Sequence, residues 1–238
     1  KMKVKANQLY DFVRKTSFNG AIPGSVYKMT ELGLENFNKT PDTMGIAHGI
    51  LCKNNIKDSA AGFSFGIGSN DKLMKCLKEF GEEEIDVIVN ETLGRMHLVG
   101  KGLQVECVMT SPAMIDSTLE QVPESLHWDF EPFVINSDMF KKAANYARIL
   151  ENNTLKLKAE NGELMVVNGE TNFDQFTQKF KVAAPDFEAE YGEALQSVVG
   201  VLEGSLKCWA QSNYPLKFEE ESAAYKFMAI VAPVVAKE

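Results

Sequence analysis

Val4-Lys5-Ala6-Asn7-Gln8-Leu9-Tyr10-Asp11-Phe12-Val13-Arg14-Lys15-Thr16 and Val134-Ile135-Asn136-Ser137-Asp138-Met139-Phe140-Lys141-Lys142-Ala143 share one pattern of apolar and polar residues. In the first, Leu9, Phe12 and Val13 lie three and four apart, which predicts an amphipathic helix over 7–16. In the second, Met139, Phe140, Ala143, Ala147 and Leu150 supply the stripe of a helix over 137–150, with Ser137 placed to cap its start. Val4, Asn7, Leu9, Tyr10 and Val13 match Val134, Ser137, Met139, Phe140 and Ala143 at a constant offset of 130. A second pair follows. Leu73, Cys76, Leu77 and Phe80 of a helix over 70–80 match Leu195, Val198, Val199 and Leu202 of a helix over 188–202, at an offset of 122. The chain therefore holds two copies of one order: helix, strands, helix, strands.

Between these helices the pattern changes to a period of two. Leu155, Leu157 and Ala159 alternate with Lys156 and Lys158, and Asn161-Gly162 then marks a tight hairpin turn into 164–167. The same reading predicts strands over 85–89, 95–99, 103–109, 177–182, 206–211, 216–219 and 225–231. The fold class expected is α+β, with two repeated domains, each built from antiparallel sheets and two helices. The stretch holding Pro112, Pro123 and Pro132 has no clear period and reads as a connector. Domains are expected at 1–115 and 133–238, with the connector over 116–132.

The 238 residues are 45% hydrophobic and 24% charged, which is globular composition and excludes disordered and collagen-like chains. A net charge of −8 argues against a surface that binds phosphate all over, although a local basic face remains open. Cys52, Cys76, Cys107 and Cys208 have no paired spacing and no nearby His, so free thiols in a reducing compartment are expected and no zinc site. Lys1 to Ala6 lack an apolar signal core, and no run of about 18 apolar residues offers a membrane span.

Gly62-Phe63-Ser64-Phe65-Gly66 matches the G-x-S-x-G nucleophile elbow, which would make the chain a serine hydrolase acting through Ser64. Asp58-Ser59-Ala60-Ala61 is a poor buried strand to precede it, and a glycine-rich strand edge is the plainer reading. His48, His97 and His127 are isolated, without the spacing that brings two nitrogens to one metal. The acidic runs at 82–84 and 219–221 read as solvated turns, and no phosphate-cradling glycine motif occurs. The polar helix faces are more informative. They carry Arg14 and Lys15 on the first helix, Lys72, Lys75 and Lys78 on the second, and Lys141, Lys142 and Arg148 on the third. The fourth has Glu188, Glu190 and Glu193 and no Lys or Arg. Lysines on repeated helices suit contact with phosphate oxygens without base reading.

This layout, with a proline-containing connector and the tail Tyr225-Lys-Phe-Met-Ala-Ile-Val-Ala-Pro233, resembles the sliding clamps of the proliferating cell nuclear antigen (PCNA) type. Leu119-Glu-Gln-Val-Pro-Glu124 resembles that family's connector, and Asn213-Tyr-Pro215-Leu its last hairpin. The length suits the two-domain trimeric clamps of eukaryotes, archaea or viruses. The resemblance implies a non-catalytic homotrimeric ring around double-stranded DNA, without cofactor or metal, acting as a polymerase processivity factor inside the cell. It implies that the helix cations named above face DNA. It implies a pocket for short peptides of a DNA polymerase, a clamp loader and other clients, from Met44, Ile46, Leu119, Val122, Leu126, Pro215, Ile230 and Pro233. Ring closure would fall to the edge strands 103–110 and 173–182, with Val105, Cys107, Met109, Phe173, Phe176 and Phe180 at the subunit interface. The alternatives are one subunit of a heterotrimeric ring or a monomeric processivity factor, and the Ser64 hydrolase.

Overall fold

A computed structural model of the chain describes residues 1–128, 130–169 and 174–234. It divides into two compact units. Unit 1 holds Lys1–Pro41, Ala47–Gln121 and Glu221–Phe227; unit 2 holds Asp42–Ile46, Val122–Glu220 and the described residues from Met228 onward. The division thus falls between Gln121 and Val122, inside the connecting stretch, and each unit also takes a short piece from the other half of the chain.

The strands and helices in chain order are β1 (Met2–Lys5), α1 (Ala6–Thr16), β2 (Ser25–Met29), β3 (Gly33–Lys39), β4 (Gly45–Cys52), β5 (Ile56–Lys57), β6 (Ser64–Ile67), α2 (Asn70–Lys78), β7 (Glu84–Asn90), β8 (Arg95–Val99) and β9 (Gln104–Val108). There follow β10 (Phe133–Asn136), α3 (Ser137–Ile149), β11 (Leu155–Glu160), β12 (Glu163–Asn168), β13 (Phe176–Lys181), β14 (Phe187–Tyr191), α4 (Glu193–Val199), β15 (Ser205–Trp209), β16 (Leu216–Glu221) and β17 (Tyr225–Val231).

In unit 1 one antiparallel sheet runs β5-β1-β7-β8-β9, and β4, β3, β2 and β6 lie side by side in another. Leu9, Phe12 and Val13 of α1 and Leu73, Met74 and Leu77 of α2 pack into one core with Val4, Ile85, Val87, Met96 and Leu98. Unit 2 repeats the plan, with β13-β12-β11-β14 in one sheet and β10, β15, β16 and β17 side by side in another. There the buried helix residues are Phe140, Ala143 and Ala147 of α3 and Leu195, Val198 and Val199 of α4. The two helices of each unit pack on each other. The α+β class with two repeated units is the one expected.

Three local expectations need correction. The first repeat runs at an offset of 131, because Met2 and Val4 of β1 are buried like Phe133 and Ile135 of β10, whereas Val134 is 63% exposed. A slip of one residue in a strand exchanges its two faces, so the sequence match was one position out of register. The cap of α3 is Asn136, whose Oδ1 accepts the Asp138 N–H at 2.9 Å; Ser137 is already the first helical residue. The fourth helix does not reach back to Glu188. Phe187, Ala189 and Tyr191 are buried alternately with exposed Glu188 and Glu190, which is strand periodicity, and α4 spans only Glu193–Val199. Asn161 and Gly162 do form the hairpin turn, with φ of 54° and 77°, the left-handed pair that a two-residue turn requires.

Candidate functional site

The basic helix faces divide into exposed and buried members. Lys72, Lys75 and Lys78 of α2 and Lys142 and Arg148 of α3 are exposed, and Lys141 is half-buried. Lys75 pairs with Asp71 at 2.6 Å and Lys141 with Asp138 at 3.4 Å, each one turn away on its own helix. Such exposed pairs are worth little and leave the ammonium available to a phosphate. The Lys78 ammonium lies 5.3 Å from the Tyr10 ring centroid, joining the polar edges of α2 and α1. Arg14 is half-buried, 3.7 Å from Asp11. Lys15 corrects the expectation, being only 1% exposed with its ammonium 5.0 Å from the Tyr225 ring and 6.0 Å from the Phe227 ring. Residue 15 follows Phe12 by three, so it shares the inward side of α1, and its aliphatic stem is buried with the aromatic residues.

The peptide-pocket residues fall mostly in unit 2. Met44 accepts a main-chain bond from Ala232 at 2.8 Å, and Val234 donates to Glu190 at 2.7 Å, so the segment after β17 lies between Met44 and β14. Met44, Val122, Leu126 and Pro215 are half-buried; Ile230 at 2%, Ile46 and Pro233 are buried. Ile230 is therefore packed in the interior, below any docking surface. Leu119 belongs to unit 1, where its N–H donates to Phe37 O at 3.0 Å.

What sequence reasoning missed is the cluster that seats the connector. The turn Pro123 to Leu126 closes with the Leu126 N–H on Pro123 O at 3.0 Å. Beyond it, the His127 N–H donates to Tyr214 Oη at 2.8 Å, that hydroxyl donates to Ser125 O at 3.3 Å, and Trp128 Nε1–H donates to Pro215 O at 3.1 Å. The Lys217 ammonium lies 5.4 Å from Trp128 and 4.3 Å from Trp209. No spacing signals this group, because its hydrogen-bonded members are up to 89 residues apart in sequence and carry no periodic signature. Below it, Tyr191 is fully buried and donates to Tyr214 O at 3.0 Å, and burial raises its phenol above the ordinary range.

Among the strands that end a sheet, β9 and β13 are exposed candidates for pairing. The outer side of β14 is bridged by Tyr191 to Pro233 and that of β6 by Gly66 to Thr110, while β5 and β10 have two and four residues. On β9, Val105 and Cys107 are half-buried and Val108 is 66% exposed; Met109, just past its end, is half-buried. A cavity of about 440 Å³ beside β9 is lined by Lys72, Leu73 and Cys76 together with Glu106, Cys107 and Val108. On β13, Phe176 and Phe180 are half-buried, and Phe176 stacks on Tyr146 at 4.2 Å between centroids. Phe173 lies outside the described residues.

Ser64 is the first residue of β6, in register with Lys28 of β2 in an antiparallel pair, and α2 begins only after Ile67, Gly68 and Ser69. A nucleophile elbow needs the serine in the turn between strand and helix, so the hydrolase alternative loses its geometry. Gly66 answers to packing instead, since a Cβ there would fall on the Thr110 carbonyl oxygen. Among the described residues no three His, Cys, Asp or Glu side chains are grouped to hold a metal, and no helix is long and apolar enough to cross a membrane.

Solved structures identify this architecture. PCNA of A. fulgidus, solved with the C-terminal region of FEN-1 bound, superposes with a TM-score of 0.83 over 100% of this chain and 99% of its own, at 15% identity. The chain has the fold of a PCNA-type sliding clamp. The clamp of Entamoeba histolytica matches with a TM-score of 0.80 at 13% identity over 98% of each chain. A chain of the PCNA2-PCNA3 complex of Sulfolobus tokodaii matches at 0.78 and 14% identity over 98% of this chain and 99% of that one. No family model and no curated protein matches the chain by sequence. The clamp fold is thus kept at identities where residue-by-residue similarity has nearly vanished.

Proposed function

We propose that this chain is a DNA sliding clamp, a non-catalytic processivity factor whose copies close into a homotrimeric ring around double-stranded DNA inside the cell. The observation that carries the reading is the clamp fold along the whole chain, shared at TM-scores of 0.78 to 0.83. The physics of the surface agrees with it. Exposed cations sit on α2 of unit 1 and on α3 of unit 2 in a chain with net charge −8, so each unit sets basic side chains on a helix of an acidic protein. Lysines on such a face meet phosphates without reading bases, which permits sliding. Encirclement makes tight binding unnecessary, and tethering raises the local concentration of a client enzyme.

Ring closure is assigned to β9 of one copy and β13 of the next, a head-to-tail contact that generates a closed ring when the rotation closes. Each of these strands offers an open ladder edge, and Val108 and the Tyr146–Phe176 stack supply apolar area beside it. Clients dock through short peptides at the half-buried residues Met44, Val122, Leu126 and Pro215, as FEN-1's C-terminal region is bound to the A. fulgidus clamp. A DNA polymerase and a clamp loader are the expected users.

Light scattering across a dilution series tests the reading. A species of three times 26.4 kDa that stays on closed circular DNA and runs off linear DNA supports it. A monomer at every concentration overturns the homotrimer. Recovery of a ring only when a second clamp chain is added would favour the hetero-assembly that the PCNA2-PCNA3 complex exemplifies.

A further inference from the structure

We propose that Trp128 and Tyr214 form a clasp that pre-orders the connector turn and thereby positions the peptide-docking surface of unit 2. The inference rests on the client-peptide reading given above and names the residues on which that site depends. The clasp is built on one strand pair. Asn213 adopts φ of 53° in the tight turn closed by the Tyr214 N–H on Gln211 O, which sets Tyr214 and Pro215 just ahead of β16. From there Tyr214 Oη serves both sides of the turn, accepting from the His127 N–H at 2.8 Å and donating to Ser125 O at 3.3 Å. A hydroxyl can do both at once, so two main-chain groups of the connector find partners on a single side chain. Trp128 adds a third tie, Nε1–H to Pro215 O at 3.1 Å, and stands edge-on to Tyr214 at 5.9 Å between ring centroids.

Lys217 completes the fitting. Its side chain is 18% exposed, its ammonium faces both tryptophans of the chain, and Glu219 holds it at 2.6 Å. The indole of Trp128 is thus gripped through its N–H and its ring. The consequence concerns Leu126, which sits between Ser125 and His127, the two residues tied to Tyr214. With both neighbours held, the half-buried Leu126 side chain is presented in one place. A peptide docking on it then avoids the entropy of ordering a free strap, which is the general gain from pre-organisation.

The experiment titrates the whole protein with a synthetic peptide of the A. fulgidus FEN-1 C-terminal region, for the wild type, Trp128→Ala, Trp128→Phe and Tyr214→Phe. Hydrogen exchange at the His127 amide and the melting temperature are followed in parallel. The expected result is about tenfold weaker binding for Trp128→Ala, with fast exchange at His127 and a melting transition close to the wild type. Trp128→Phe, which keeps a ring over Lys217, recovers part of the affinity; Tyr214→Phe, which removes one oxygen, weakens binding in the same direction. Should Trp128→Ala fail to fold, Tyr214→Phe decides the matter. Unchanged affinity in a variant whose His127 amide has become exchangeable overturns the clasp while leaving the docking site in place. A wild type that does not take up the peptide overturns the client-peptide reading itself, and the clasp with it.

Discussion

Ile230 and Leu126 are both apolar pocket candidates, yet they occupy different physical situations. Ile230 is 2% exposed in β17, so Ile230→Ala removes packed methyl groups and should cost the fold about 2 to 5 kcal/mol. Denaturant unfolding would show it as a fall in midpoint without a change of slope. Leu126 is half-buried, and Leu126→Ala should leave that midpoint nearly unchanged while weakening peptide binding, read by calorimetry. Cys107 offers a residue-scale test of burial. Desolvation first, and then the neighbouring Cys76, push its thiol up to about 11 from 9.0. The folded state holds that proton more tightly than the unfolded chain, so its contribution to stability is full below pH 9 and declines as pH rises towards about 11. Alkylation of Cys107 at pH 8 should accordingly be about a hundred times slower in the native protein than in urea, by thiolate fraction alone. Comparable rates would show that the thiol is not so buried.

The elements show which local signals survive folding. Asn136→Ala should cost about 1 kcal/mol of stability by removing the acceptor for the Asp138 N–H, whereas Ser137→Ala should leave that cap bond intact. That pair of variants distinguishes the observed start of α3 from the one expected, through their unfolding midpoints. Helices α1, α2 and α3 were legible because their apolar residues recur at three and four. The strand β14 was not. Phe187, Ala189, Tyr191 and then Leu195, Val198 and Val199 form one nearly continuous apolar pattern, and only the sheet decides that its first part has period two. Lys15 illustrates the same limit from the other side, since a lysine next to a helix stripe reads as solvated until the aromatic residues that enclose it are placed.

At the scale of the molecule, assembly and charge carry the predictions. Val108 is 66% exposed on β9, so Val108→Asp should leave the subunit folded and place an uncompensated carboxylate in the proposed β9–β13 seam. Its mass by light scattering should fall to that of the monomer at concentrations where the wild type is trimeric. Replacing Lys72, Lys75 and Lys142 by Glu should reduce retention on closed circular DNA and flatten its dependence on salt, because fewer counterions are released. Retention unaffected by all three charge reversals would remove these helix faces from the DNA path. The lysine of α1 at position 15 is excluded from that set by its burial.

Read by itself, the amino-acid sequence determined the repeat of helices and strands and the α+β class. These follow from periodicity, turn residues and composition, which act within a few residues of each other and need no partner across the chain. The offset of 131, the unit boundary at Gln121 and Val122, the burial of Lys15 and Ile230, and the group formed by Trp128, Trp209, Tyr214 and Lys217 were decided by tertiary structure alone. Each depends on which distant residues come together. A side chain's exposure, and the partner that its polar atom finds, are properties of the packed chain and have no counterpart in local spacing.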